Sequence, residues 1–309
     1  MSHLWLLLAA LCFVAGCASD PFRTMNKQRA DAAVEIDPVA FFPQDDLQCG
    51  PAALATALDA AGIAVTPDEL QPMLFVPGKG GSLQPEIIAT ARRFGRIPYV
   101  IDPTFDALLD ELDAARPVIV LQNLGISIAP QWHYAVVVGY SAPGREIILR
   151  SGTTRRLAQS ARSFASTWAR SERWAVVLLR PGELPANADP TRYLKAVAAA
   201  EGAGQYELAI AAYLNAANHW PDQPPALLGL GNSYFATGRA DDAEYWYRRL
   251  LHADADNIAG MNNLATLLGE QGRCQEADTL IRQAQENAAG DPAYLPLLAR
   301  TESGLDACR

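Results

Sequence analysis

A period of 34 residues constrains what this chain can fold into more than any other feature. Gly204, Gly238 and Gly272 are spaced at that interval, and so are Ala209, Ala243 and Ala277. The frames Gly204-Gln205-Tyr206-Glu207-Leu208-Ala209, Gly238-Arg239-Ala240-Asp241-Asp242-Ala243 and Gly272-Arg273-Cys274-Gln275-Glu276-Ala277 each place a glycine five residues before an alanine. Glycine ends a helix because it takes the left-handed conformation at little cost. The small alanine lets the following helix pack closely against the preceding one. Such a helical hairpin cannot bury its own apolar face, so neighbouring hairpins stack into a solenoid. Three units are expected over 190–223, 224–257 and 258–291, followed by a capping helix over Pro292–Thr301.

The period and its frame resemble the tetratricopeptide repeat. The all-α solenoid is therefore assigned to 190–309, and Arg180-Pro181-Gly182-Glu183-Leu184-Pro185 breaks the preceding pattern, giving a linker over 181–189. The repeats are expected to hold a protein partner, the substrate polypeptide or a second copy. Tyr206, Tyr213, Tyr234, Tyr245, Trp246 and Tyr247 are candidates for the concave surface or for the interhelical core. Cys274 and Cys308 are a natural disulfide pair in an exported protein; two buried free thiols are the alternative.

The N-terminus reads as an export signal. Leu4–Val14 is apolar but short for a membrane span. It runs into Val14-Ala15-Gly16-Cys17, which resembles the lipobox of bacterial lipoproteins. That resemblance implies a signal peptide over 1–16, lipidation of Cys17, and contact with the membrane through the lipid. Residues 17–34 are then a polar tether. Ala18 after the cysteine points to the outer membrane, with the protein facing the periplasm. The net charge of −9 argues against a general nucleic-acid binder.

Residues 35–180 mix helices and strands. Strong helix formers follow Cys49-Gly50-Pro51, and Pro51 suits the first helical position because its missing N–H would have no partner there. Thr66-Pro67-Asp68-Glu69 is a second helix start. Helices are also expected over Gln84–Phe94, Thr104–Ala115 and about Ser160–Arg170. Ile97–Ile101, Val118–Leu121, His133–Tyr140, Arg145–Arg150 and Trp174–Leu179 read as strands, being β-branched runs bounded by Gly, Pro and Ser. The outcome is an α+β domain.

Residue accounting narrows its chemistry. The segment holds one cysteine, Cys49, and one histidine, His133. A thiol at a helix N-terminus is favoured as thiolate by the helix dipole. If Cys49 needs an imidazole from its own domain, only His133 can serve. One Cys and one His cannot fill a zinc site, and Gly78–Gly81 does not match a phosphate-binding loop. No cofactor is expected.

Cys49-Gly50-Pro51-Ala52-Ala53-Leu54, an upstream glutamine and the later His133-Tyr134-Ala135-Val136-Val137-Val138-Gly139-Tyr140 resemble the papain-like peptidases that process double-glycine leaders of bacteriocins. Gly81-Ser82-Leu83, Pro117-Val118-Ile119-Val120 and Ser163-Phe164…Trp168 follow the family's order. The resemblance implies a cysteine peptidase acting on a protein or peptide. Cys49 is the implied nucleophile and His133 the general base, with Gln44 helping to form the oxyanion hole. The chain departs from the family twice. Gln44 lies five residues before the cysteine instead of six, which leaves Gln48 as a second candidate. Ser151 stands where the family carries the aspartate that orients the imidazole. That leaves three readings: a triad with a weaker third member, a Cys–His dyad, or a peptidase fold that binds peptide without turnover.

Overall fold

The computed structural model describes residues 21–23, 29–44, 48–76, 78 and 81–306. Cys17, expected to be lipidated, and Cys308 lie outside them. Two compact units emerge, one of residues 1–87 with 100–177 and one of 88–99 with 178–309.

The first unit is built on an antiparallel sheet. Its strands are β1 (Ala33–Glu35), β5 (Val118–Asn123), β6 (Trp132–Ser141), β7 (Glu146–Ser151), β8 (Thr154–Ser160) and β9 (Ala175–Leu179), and β2 (Phe75–Val76) pairs separately with β3 (Gly81–Ser82). The main order is β9-β5-β6-β7-β8, with β1 paired to β6. Strands β5 and β9 and most of β6 and β7 are buried. Their near-continuous Val, Ile and Leu runs suit a sheet covered on both faces.

Helix α1 (Cys49–Ala60) packs on β5, β6 and β7. Every residue from Cys49 to Leu58 is buried, as expected of a helix that is apolar all round. It begins at Cys49, two residues earlier than the first-position role expected for Pro51. Pro51 is still in the first turn, where a missing N–H costs no intrahelical bond. Helix α2 (Pro67–Leu74) carries a full capping box: the Glu69 N–H donates to Thr66 Oγ1, and the Thr66 N–H donates to the Glu69 carboxylate. Helix α3 covers Gln84–Arg93, α4 Phe105–Asp113 and α5 Ala161–Ala169. Phe164 of α5 stacks edge-on against Phe105 of α4.

The tether expected over 17–34 does not extend that far. Ala33, Val34 and Glu35 pair with Ser141, Tyr140 and Gly139. Phe22 packs on Phe105 and Tyr140, and Arg29 forms ion pairs with Asp110 and Asp113. Ring contacts, ion pairs and strand pairing therefore bind Phe22, Arg29 and Ala33–Glu35 to the domain.

In the second unit, β4 (Ile97–Val100) is a short, largely buried strand. The helices α6 (Pro190–Glu201), α7 (Tyr206–His219), α8 (Pro224–Ala236), α9 (Ala240–Ala253), α10 (Ile258–Glu270) and α11 (Cys274–Ala288) form three hairpins. Gly204, Gly238 and Gly272 sit at φ +77°, +74° and +76°. The N–H after each glycine donates back to the carbonyl five residues earlier, from Gln205 to Ala200, Arg239 to Tyr234 and Arg273 to Leu268. This is the Schellman closure that glycine permits. Ala209, Ala243 and Ala277 have no exposed surface. The closing helix α12 spans Leu295–Leu305, later than the expected 292–301.

Polar side chains also link the repeats. Tyr213 and Asn232 donate to Glu201, and Tyr247 and Asn263 both donate to Asn232. Asn262 donates to Asn263, and Thr301 of α12 donates to Asn262. Of the aromatic candidates, Tyr213, Trp246 and Tyr247 are buried, Tyr206 and Tyr234 are half-buried, and Tyr245 is exposed. Most therefore belong to packing. Cys274 is disulfide-bonded.

Candidate active site

The site lies where the first turn of α1 meets the ends of β6 and β7. Cys49 is buried and lines a cleft of about 450 Å3 with Ser82, Leu83, Leu121, Trp132, Tyr134 and Glu172 among its walls. Gly50, its neighbour, lies against Ser82. A Cβ at position 50 would come within 2.5 Å of Ser82 Cβ. Close approach of β3 to the start of α1 therefore requires glycine here. Gly50→Ala is expected to cost about 1–3 kcal/mol through overpacking, read as a lower urea midpoint with an unchanged m-value.

His133 is half-buried near the start of β6, paired across the ladder with Gln122 of β5. Gln122 is fixed in turn by donating to Thr167 Oγ1 at 2.6 Å. Ser151, the last residue of β7, places its Oγ 2.8 Å from His133 Nε2. The position that carries the orienting aspartate in the resembling peptidases therefore meets the imidazole, with a hydroxyl in place of a carboxylate. The serine occupies Nε2, so Nδ1 is the ring nitrogen on the other side of the imidazole from Ser151.

Gln44 joins the Cys49 segment to the same corner. Its backbone N–H donates to the Gly152 carbonyl at 3.2 Å. With the carboxamide in the orientation that satisfies both neighbours, Nε2 donates to the Cys49 carbonyl at 3.2 Å and Oε1 accepts from the Gly152 N–H at 3.0 Å. Gln44 thus bridges the residue that carries the thiol and the residue after Ser151. One Nε2 hydrogen is used in this bridge and one remains. Gln48 is the residue before α1 and makes no side-chain capping bond.

Residues 36–176 match the Peptidase_C39 like family. Residues 194–258 and 258–284 match tetratricopeptide repeat models. The chain joins a C39-like peptidase domain to tetratricopeptide repeats. A comparison with curated proteins returned no match. Among solved structures, the chain is similar to the peptidase domain of Streptococcus ComA, a bi-functional ABC transporter, at 24% identity over 45% of this chain and 96% of that one, TM-score 0.36. It is also similar to a double glycine motif protease from an AMS/PCAT transporter, at 18% identity over 48% and 95%, TM-score 0.33. On the repeat side it is similar to the Yersinia enterocolitica type III secretion translocator chaperone SycD, at 24% identity over 38% and 81%, TM-score 0.36.

The walls of the C39-like domain's cleft include residues that the sequence alone did not single out. Trp132 and Tyr134, on either side of His133 in the chain, both line the cleft. Burial pushes the Tyr134 phenol well above its ordinary value, and the nearby Cys49 and Glu86 add to the shift. Tyr134 thus stays a neutral wall beside the thiol. On the opposite wall, Ser171 donates from its buried hydroxyl to the carbonyls of Leu121 and Trp168. Glu172 and Arg173 follow at φ +56° and +55°, a left-handed pair that carries backbone strain. The only signal for Trp132 and Tyr134 was adjacency to the histidine; nothing local marks 170–172. Among the described residues no cluster of His, Cys, Asp and Glu is placed to hold a metal ion.

Proposed function

We propose that the chain is a lipid-anchored cysteine peptidase of the bacterial envelope. Cys49 attacks an amide carbonyl as thiolate, and His133 protonates the departing amine. Water, activated by the same imidazole, then releases the acyl group from sulfur. Gln44 and the Cys49 N–H donate to the developing oxyanion, a contribution of about 3 kcal/mol for one such donor. Cys17 carries the lipid, and the domain faces the periplasm from the outer membrane. The repeats recruit a protein or peptide, and Cys308 is the disulfide partner of Cys274. The observation that carries the peptidase reading is the Ser151–His133 hydrogen bond at 2.8 Å beside a cleft lined by Cys49. It fixes the ring through Nε2, and proton transfer is assigned to Nδ1.

Alkylation of the full chain with iodoacetamide tests the reading, with Cys49 followed by peptide mass spectrometry. At about pH 6 an imidazole-paired thiolate reacts well ahead of an ordinary thiol. Cys49 in the folded chain is expected to outpace Cys49 in the urea-unfolded chain, and His133→Ala is expected to remove the advantage. Equal rates in all three samples would sink the proposal.

A second reading has one observation in its favour. A hydroxyl stabilises imidazolium less than a carboxylate does. The domain would then bind peptide without turnover and serve the repeats as a scaffold. This reading expects Cys49→Ala to retain peptide binding and every cellular effect of the protein.

A further inference from the structure

The connection between β5 and β6 is a feature that peptide hydrolysis does not use. It runs Leu124-Gly125-Ile126-Ser127-Ile128-Ala129-Pro130-Gln131 into Trp132, and no Asp, Glu, Lys or Arg occurs between Arg116 and Arg145. Ile128 is 91% exposed, Ile126 59%, Trp132 53% and Leu124 44%. Ile126 and Ile128 stand at the tip of the hairpin, and neither lines the cleft. A single isolated aliphatic side chain on a surface needs no explanation. A cluster of three at one tip, with a tryptophan at its base, does.

The tip is preformed. Ile126 and Ala129 exchange backbone hydrogen bonds of 3.2 and 3.1 Å, and the Leu124 N–H donates to the Gln131 carbonyl at 2.8 Å. Asn123 Oδ1 accepts from the N–H groups of Gly125 and Gln131. These bonds leave few backbone donors unsatisfied, so entry into an apolar medium carries little of the penalty for burying free amides. At the hairpin base Arg170 donates from Nε to the Asn123 carbonyl. Aliphatic residues at the tip, with tryptophan and arginine at the base, follow the depth order of a bilayer interface.

We propose that this hairpin inserts its tip into a lipid bilayer. An extended peptide would need a groove with two walls. The tip is convex, uncharged and internally bonded, which suits a lipid surface better. So few apolar side chains hold a protein at a membrane only weakly, and a second attachment is required. For that attachment alone the inference rests on the lipid at Cys17. Phe22 packs against Tyr140, eight residues along β6 from Trp132, or about 27 Å at strand spacing. Phe22, five residues after Cys17, thus stands toward the end of β6 remote from the tip. Because Trp132 belongs to both the hairpin base and the cleft wall, the cleft would open at the lipid surface, toward polypeptide segments lying close to the membrane.

Depth-dependent quenching tests this. The lipidated chain, starting at Cys17, is bound to vesicles of phosphatidylcholine and phosphatidylglycerol with dibrominated acyl chains. Trp132 emission, taken as the difference from the same chain with Trp132→Phe, is expected to show about a twofold drop against unbrominated vesicles, as for an interfacial indole. The double variant Ile126→Asp, Ile128→Asp is expected to remain folded and vesicle-bound through its N-terminus while that quenching disappears. Identical quenching with and without Trp132, or quenching unchanged in the double variant, would overturn the insertion. So would an unquenched Trp132 together with a raised dissociation constant for an uncleaved peptide in the double variant, which would assign the tip to substrate. None of these outcomes depends on whether Cys49 turns over.

Discussion

Cys49→Ala is expected to lower kcat/KM for peptide cleavage by about 10^4-fold or more, the scale seen when a covalent nucleophile is removed. The fold should survive. Cys49 is buried at the first residue of an alanine-rich helix, and alanine is a good helix former that leaves only a small void. Binding should survive as well, because the cleft walls at Leu83, Leu121, Trp132 and Tyr134 are untouched. The expected signature is therefore lost turnover with a nearly unchanged dissociation constant for an uncleaved peptide. Cys49→Ser is expected to be almost as damaging. A serine hydroxyl is far harder to deprotonate than a thiol, and His133 lacks a carboxylate to share the charge. Steady-state cleavage of a quenched peptide library, with calorimetric binding alongside, checks both points. Turnover by the Cys49→Ala chain at the wild-type rate would exclude covalent catalysis by this residue.

Much of the architecture was legible because its signals are local. The helix-ending glycines at 204, 238 and 272 need only their own backbone conformation, so spacing alone located the three hairpins. Thr66-Pro67-Asp68-Glu69 likewise caps its helix with side chains three residues apart. Strand β8, by contrast, did not register. Thr154-Arg155-Arg156-Leu157-Ala158-Gln159-Ser160 is exposed along nearly all its length, so no apolar alternation marks it. Its basic residues are what an edge strand needs to discourage further pairing. Strand β1 is three residues long, and its place beside β6 is decided by long-range pairing that no local window contains. The site divides in the same way. Cys49 and His133 were singled out by counting residues, and Ser151 by the resemblance, as the position where that family carries its aspartate. The cleft wall at Ser171 and Glu172 depends on a turn folding back over β5, which only the tertiary structure supplies.

The imidazole corner makes the sharper test of mechanism. His133→Ala is expected to reduce kcat/KM by about 10^3–10^4-fold, since it removes general acid–base catalysis together with activation of the thiol. Ser151 should show a graded response. Serine to alanine removes one neutral hydrogen bond, worth about 1 kcal/mol, so a drop of about fivefold is expected. Serine to aspartate replaces it with a charge-assisted bond of roughly twice the strength, and kcat/KM should rise by about tenfold. The direction follows from charge. A carboxylate favours the protonated ring, so the aspartate variant should move the pH limb governed by the imidazole upward, while the alanine variant should not. The pH profile separates this from a merely structural effect, because a packing defect lowers activity at every pH alike. Ser151 stands 2.8 Å from Nε2, and the Gly152 backbone beside it is bonded twice by Gln44. A substitution at Ser151 can therefore also reach the nucleophile through Gln44. Gln44→Ala provides the control: it cuts that link and leaves the hydroxyl on the ring. Loss of rate in Gln44→Ala with an unshifted imidazole limb, beside a shifted limb in Ser151→Asp, would assign oxyanion support to Gln44 and orientation of the imidazole to Ser151.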